Sequence, residues 1–280
     1  MTSTLLLRDL VGCSRPTSIL DIGANPVDGA PRYQQMLDDG LCWVTGFEPQ
    51  RRALAELELR KGPMERYLPH VVGDGHPHRL KITKAEGMTS LLTPDVNQLR
   101  LFTPFPDWGS VVEEVDVQTH RLDDLDIDDF DLLKIDIQGA ELMVLQHGRE
   151  RLRNAVAVQT EVSFVPLYQD QPTFGEVDSE LRSQGFAPHA MPEVKKWPIA
   201  PTVFSGDARN PGNQLLEADI VYVRDLAHPE RLDSEQLSHL AMIAFHIYGS
   251  VDLAIYCVSE LQGRGHAAAD AVERFLQLFE

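Results

Sequence analysis

Residues 19–25 read Ile-Leu-Asp-Ile-Gly-Ala-Asn, an apolar run that ends in an acid and then turns at a glycine. Phe47-Glu48-Pro49, a second apolar run tipped by an acid, follows after the length of one strand–helix–strand unit. Buried strands alternating with helices at this spacing predict an α/β sheet, parallel for the most part, with helices on both faces. The candidate strands are residues 18–21, 43–47, 67–72, 132–136 and 156–162, and two more are expected at 186–190 and 219–223.

Helical spacing fills the gaps. Tyr33, Met36 and Leu37 share one face of a helix over 31–39, and a second helix covers 140–147. Thr173 with Glu176 forms a capping box ahead of Phe174, Val177 and Leu181. Residues 192–212, rich in Pro, Gly and Lys, are expected to be a long loop, and such loops in compact domains carry function. Residues 76–120 form an insert with short strands at 80–83 and 111–117 and aromatic residues Phe102, Phe105 and Trp108; it is expected to cover the ligand site. The main domain is placed at residues 1–230. From 231 to 280 the chain becomes helical: Asp233 with Gln236 resembles a capping box, and Leu237, Leu240, Ala241, Ala244 and Tyr248 recur at helical spacing. A last helix puts Val272, Phe275, Leu276 and Phe279 on one face. These helices either pack on the domain, the expectation here, or build a homodimer interface.

The chain of 280 residues carries a formal net charge of −18, with 25 basic and 43 acidic residues. That balance argues against nucleic acid, which requires a basic face, and against an anionic membrane surface. Cys13, Cys42 and Cys257 are odd in number and far apart, which predicts reduced thiols in a cytoplasmic protein and no structural zinc site.

The acids define the expected ligand. Asp21 closes the first strand and Gly23 lets the backbone approach a bound group. A dinucleotide fingerprint, G-x-G-x-x-G, is absent: Ala24-Asn25-Pro26-Val27-Asp28 separates Gly23 from Gly29. A carboxylate in this turn repels a pyrophosphate but attracts an ammonium. Glu48 at the second strand end can accept from two ribose hydroxyls, as acids do in dinucleotide folds. Asp74, just past the third strand, is placed to receive an adenine amino group. Together these residues predict a site for S-adenosylmethionine, a nucleoside with a cationic tail.

The resemblance is to the FkbM-type methyltransferase family, a branch of the class I S-adenosylmethionine-dependent methyltransferases. It is carried by residues 20–25, by Phe47-Glu48-Pro49, by Gly87-Met88-Thr89-Ser90-Leu91-Leu92, by Asp131-Leu132-Leu133-Lys134-Ile135-Asp136-Ile137-Gln138-Gly139-Ala140-Glu141, and by Glu161-Val162-Ser163-Phe164 and Glu217-Ala218-Asp219. The chain departs from the family at Gln138, where Glu is usual, and at Pro26-Val27-Asp28, where a second glycine is usual. The resemblance implies a Rossmann-like, seven-stranded, mostly parallel sheet whose last strand is antiparallel, with the C-terminal helical extension outside it. It also implies O-methylation of a hydroxyl on a small metabolite such as a sugar or polyketide, with cofactor contacts from Asp21, Gly23, Asn25, Glu48, Pro49, Asp74, Ser90 and Asp136.

Methyl transfer to a hydroxyl calls for a base or a metal. Asp136 and Glu161, at the ends of neighbouring central strands, are the expected pair, acting as base and orienter; they can also hold a Mg²⁺ ion, although no ligand spacing in the sequence supports a metal. Glu141, in the first turn of the following helix, is a third candidate, and a favourable helix-dipole contact explains it equally well. Lys134 is expected to reach an acid or a helix end. His76 and His78 with Asp74 imitate a metal spacing but sit in a Gly/Pro-rich turn. The competing reading is a methyltransferase fold that has lost transfer activity and serves as a binding or assembly module, motivated by Gln138 and the C-terminal helices.

Overall fold

The computed structural model describes residues 3–25, 29–210, 212–277 and 279. The strands are β1 (Thr17–Ile22), β2 (Cys42–Phe47), β3 (Glu65–Leu68), β4 (Val71–Gly73), β5 (Pro77–Thr83), β6 (Val111–Arg121), β7 (Leu132–Ile135), β8 (Ala157–Ser163), β9 (Phe186–Trp197) and β10 (Gln214–Arg224). The helices are α1 (Ser3–Val11), α2 (Gln34–Asp38), α3 (Arg51–Arg60), α4 (Val96–Leu99), α5 (Phe105–Trp108), α6 (Glu141–Gln146), α7 (Arg149–Leu152), α8 (Phe174–Ser183), α9 (Ser234–His246), α10 (Val251–Gly263) and α11 (Ala271–Leu276).

Seven strands form one sheet in the order β3-β2-β1-β7-β8-β10-β9. The β1, β2, β3, β7 and β8 pairings are parallel, and β10, last in the chain, runs antiparallel to both β8 and β9. This is the expected Rossmann-like sheet with an antiparallel last strand. Because side chains alternate across a strand, the two sheet faces bury separate cores. Ile19, Val44, Leu132, Ala157 and Val221 lie on one face, under α1, α9 and α10. Leu20, Phe47, Leu133, Val158 and Ile220 lie on the other, under α6 and α8. The C-terminal helices therefore pack on the sheet: Leu237, Leu240, Ala254 and Cys257 are buried in the first core. Both capping boxes form, at Thr173/Glu176 and at Asp233/Gln236.

Four expectations change. The strand expected over 67–72 is broken at Pro69, which has no N–H to give a ladder. β3 ends at Leu68, and β4 leaves the main sheet to join β6 and β5 in a second one. The expected loop over 192–212 begins as strand: β9 runs on to Trp197, and Pro192 is tolerated because β9 is an edge strand. The β9–β10 register shifts between Asp219 and Val221, opposite Met191 and Pro192. Helix α1 is not evident from the sequence, yet Leu7, Leu10 and Val11 are buried. The last helix stops at Leu276, which is exposed, as is Phe279; Phe275 alone of the last three is fully buried.

The insert carries β5, β6, α4 and α5. Phe102 and Phe105 are buried with Leu167, Trp197 and Leu216, so these aromatics form a small core that joins the insert to β9 and β10. Phe105 lies 4.8 Å from Trp197, ring centre to ring centre.

Candidate active site

The turn after β1 is built for close approach. Gly23 has φ +84°, and a Cβ there would stand 1.9 Å from the Asp136 carbonyl oxygen. Only glycine fits where the turns after β1 and β7 meet. The Gly23 and Ala24 N–H groups both donate to the Phe47 carbonyl, each at 3.1 Å, which ties this turn to the end of β2.

Two clefts meet at this turn, and Gly23, Asn25 and Asp136 line both. The first lies over the ends of β1 and β2 and is walled by Phe47, Glu48, Pro49, Val72, Leu80 and Ser90. Glu48 is buried; its Oε1 accepts the Gln50 N–H at 2.7 Å, and Oε2 takes no hydrogen bond from the described residues. Burial pushes the Glu48 carboxyl up to about 7, with Asp21 adding repulsion and the Gln50 N–H opposing. Ser90 Oγ donates to the Gln138 carbonyl at 2.7 Å, fastening the insert to the turn after β7. His70, which lines the same cleft, packs edge-on against His120 at 4.8 Å.

Asp74 is not part of this cleft. Its Oδ1 is held by the His76 N–H at 2.9 Å, His78 Nε2 at 2.9 Å and Thr119 Oγ1 at 3.1 Å. Against burial, these bonds draw its carboxyl down to about 2. The break at Pro69 is the physical reason: the chain enters the second sheet, and His70, Val71, Val72 and Leu80 line the cleft where an adenine-binding Asp74 was expected.

Asp21 faces the second cleft and is already engaged. Its Oδ2 accepts from Tyr33 Oη at 2.6 Å, and Lys134 Nζ lies 3.0 Å from Oδ1. Lys134 thus reaches an acid, as expected, and the ammonium role expected for Asp21 now competes with a lysine. Burial disfavours the Lys134 charge, but Asp21 and Asp136 outweigh it and raise its pKa.

Asp136, Glu161 and Glu141 converge, with one carboxylate oxygen of each within 4.8 Å of the others. Gln138 sits among them at φ +58°, a strained conformation for a non-glycine residue. Its Nε2 donates to Asp136 Oδ1 at 3.0 Å and to Glu161 Oε2 at 3.1 Å. Glu161 Oε1 is 3.2 Å from Lys195 Nζ, which is 2.6 Å from Glu217 Oε1. Burial, Asp136 and Glu217 drive the Glu161 pKa well up, opposed by Lys195. Glu141 lines neither cleft; its Oε1 accepts the Ile137 and Gly139 N–H groups at 2.9 and 3.1 Å, which braces the turn. Burial pushes it up to about 7. The cluster does not fit Mg²⁺: an amide already bridges two of the carboxylates, and backbone N–H groups hold the third.

The sequence reading misses Lys195, Glu193, Gln159 and Asp219, all of which line the second cleft. Lys195 and Glu193 fall in the stretch expected to be loop. The departure at Pro26-Val27-Asp28 lies outside the described residues.

The strand order, with a glycine turn and acids at the carboxyl edge, makes a Rossmann-like α/β sheet whose ligand cleft lies over its strand ends. Residues 21–188 match the Methyltransferase FkbM domain, and the chain belongs to that family, whose cofactor is S-adenosylmethionine. A protein named 2-O-methyltransferase NoeI, from Sinorhizobium fredii (strain NBRC 101917 / NGR234), is 30% identical over 162 residues. That alignment covers 55% of this chain and 66% of NoeI, just under two thirds of its length. Among solved structures, methyltransferase FkbM from Methylobacillus flagellatus KT gives a TM-score of 0.40 at 13% identity, covering 74% of this chain and 43% of that one. Magnesium protoporphyrin IX methyltransferase (ChlM) from Synechocystis PCC 6803 gives 0.39 at 11% identity, covering 80% and 76%. Among the described residues, no helix is long and apolar enough to cross a membrane.

Proposed function

We propose that this protein is an S-adenosylmethionine-dependent O-methyltransferase acting on a hydroxyl of a small metabolite. The observation that carries the reading is the meeting of two clefts at Asp136, one with a buried acid at a strand end and one polar. When bound, S-adenosylmethionine supplies a methyl group on a cationic sulfur that departs as a neutral thioether. Glu48 Oε2 would accept the ribose hydroxyls of the bound cofactor, and the close Gly23 turn would hold its amino-acid tail. Asp136 Oδ1 is held by Gln138; Oδ2 receives the acceptor hydroxyl's proton as its oxygen forms the new bond to carbon. Glu161 and Gln138 fix the Asp136 carboxylate in that orientation, which supplies the alignment an in-line displacement needs.

NoeI is named as a 2-O-methyltransferase, and its likeness to this chain supports oxygen as the acceptor atom. The reading is tested by incubating the chain with S-adenosylmethionine and a panel of hydroxylated metabolites. A product heavier by one methylene, with S-adenosylhomocysteine released, is expected; Asp136→Asn should abolish it. Cofactor binding without release across the panel would favour the second reading, a binding module without transfer activity. The Lys134 charge beside Asp21 and the amide at Gln138 are the observations on its side.

A further inference from the structure

The second cleft is the upper edge of a sheet face that is apolar below and polar above. On β1, β7, β8 and β10 the buried residues Ile19, Leu132, Ala157 and Val221 pack under the C-terminal helices. Two residues further toward the cleft, the same face carries Asp21, Lys134, Gln159 and Asp219. The ladder sets them side by side: Asp21 pairs with Lys134, and Lys134 with Gln159. This polar shelf adjoins Asp136. Its two lysines are committed, Lys134 to Asp21 and Lys195 to Glu161 and Glu217, so neither is left over for an anionic group.

The turn between α9 and α10 reaches the shelf. Tyr248 Oη donates to Gln159 Oε1 at 3.0 Å, and Gln159 Nε2 donates to Asp219 Oδ2 at 2.9 Å. Because its Oε1 is occupied by the phenol, the Gln159 amide can only present its N–H₂ to Asp219. Asp219 Oδ1 takes no hydrogen bond from the described residues, and the residue lines the cleft. His189 Nε2, 2.8 Å from Ser250 Oγ, anchors the same turn to β9. Asp219 and Tyr248 both lie beyond the stretch matched to the family, residues 21–188.

We propose that the C-terminal helical region completes the acceptor site: Tyr248, through Gln159, sets Asp219 to receive a second hydroxyl of a compact, polyhydroxylated acceptor lying on this shelf. The inference rests on the methyl-transfer reading and names its substrate class. Asp219 is a binding residue and Tyr248 a positioning residue. An apolar acceptor would leave Gln159 and Asp219 desolvated without partners, which disfavours it. An anionic group on the shelf itself would meet Asp219 and Glu193, but the same cleft is also lined by Arg32, Arg60 and Lys61.

The test uses the full chain, S-adenosylmethionine, a panel of methyl pyranosides, and n-decanol as the apolar counterpart. Wild type, Asp219→Asn and Tyr248→Phe are compared, and calorimetry with S-adenosylhomocysteine reports on the folded cofactor site in each. All three should bind the cofactor product equally, and pyranosides should be methylated in preference to decanol. Asp219→Asn should raise the pyranoside KM about tenfold, the loss of one hydrogen bond to a charged group, with a smaller change in kcat. Tyr248→Phe should move KM the same way by less. Equal cofactor binding with an unchanged KM in both variants, or with transfer to decanol, overturns the inference alone; cofactor binding with transfer to neither class overturns it together with the methyl-transfer reading and favours the binding module. Failure of the wild type to bind overturns the methyl-transfer reading and the inference with it.

Discussion

Lys134 Nζ lies 3.0 Å from Asp21 Oδ1, one strand over on the same face of the sheet. The first strand-end acid is therefore neutralised from within the protein before any ligand arrives. Both groups are largely removed from water, Lys134 at 21% and Asp21 at 3% side-chain exposure. Lys134→Met should lower stability by about 3 kcal/mol, because it strands a buried carboxylate. The midpoint of urea unfolding measures this. Adding Asp21→Asn to the same chain should recover much of the loss; no recovery would mean that the pair is not coupled.

Glu48 makes stability and cofactor affinity respond to pH in opposite directions. Its carboxyl ordinarily titrates at 4.5 and in the fold at about 7. Below 4.5 it is protonated in both states. Between the two values the unfolded chain ionises while the folded one keeps its proton, so stability falls as pH rises. Above about 7 the loss is complete, about 3 kcal/mol. The anion is the form that accepts two ribose hydroxyls, so affinity should weaken about tenfold for each pH unit below 7. Glu48→Gln should flatten the affinity profile and remove the Glu48 share of the stability slope, leaving that of Glu141 and Glu161, as calorimetric and unfolding titrations across this range would show.

Gln138 donates to Asp136 and Glu161 at once. Gln138→Glu replaces those two donors with a third like charge beside two carboxylates. At saturating cofactor and neutral pH, kcat should fall about tenfold or more, while cofactor affinity changes less. Steady-state kinetics with an identified acceptor decides it; an unchanged kcat would remove the amide from the account of the acid pair.

Helix α9 belongs to the main core. Leu240 is fully buried against the sheet with Leu237 and Ala241. Leu240→Ala should cost about 3 kcal/mol, and unfolding should remain a single transition. A separate early transition for the C-terminal helices would contradict this packing. Asp233→Ala, which removes the cap on α9, should cost about 1 kcal/mol.

The central strands are legible in the sequence because they are largely buried: β1, β2 and β7 read as apolar runs with an acid at or next to the carboxyl end, and β8 opens on Ala157-Val158 and carries Glu161 near its end. Both capping boxes are legible because their chemistry is local. The break at Pro69 is not, since an isolated proline within an apolar run marks either an edge or an end, and the sheet decides which. The first part of β9 is legible at 186–190, but its second half is hidden because the edge position exposes Glu193 and Lys196, which read as loop. The same limit governs the site. Strand-end acids are visible, but their partners are not: Lys134 lies 113 positions from Asp21 and Lys195 lies 34 from Glu161, and only the strand order brings them together. Asp74 lies outside both clefts for that reason, because β4 leaves the sheet that would have carried it.

The most direct measurement is a calorimetric titration of S-adenosylmethionine into the full chain at about pH 8, where Glu48 is ionised. One saturable site is predicted, weakened at least about tenfold by Glu48→Gln. No heat of binding at millimolar cofactor, or equal affinity in the two proteins, would contradict the account.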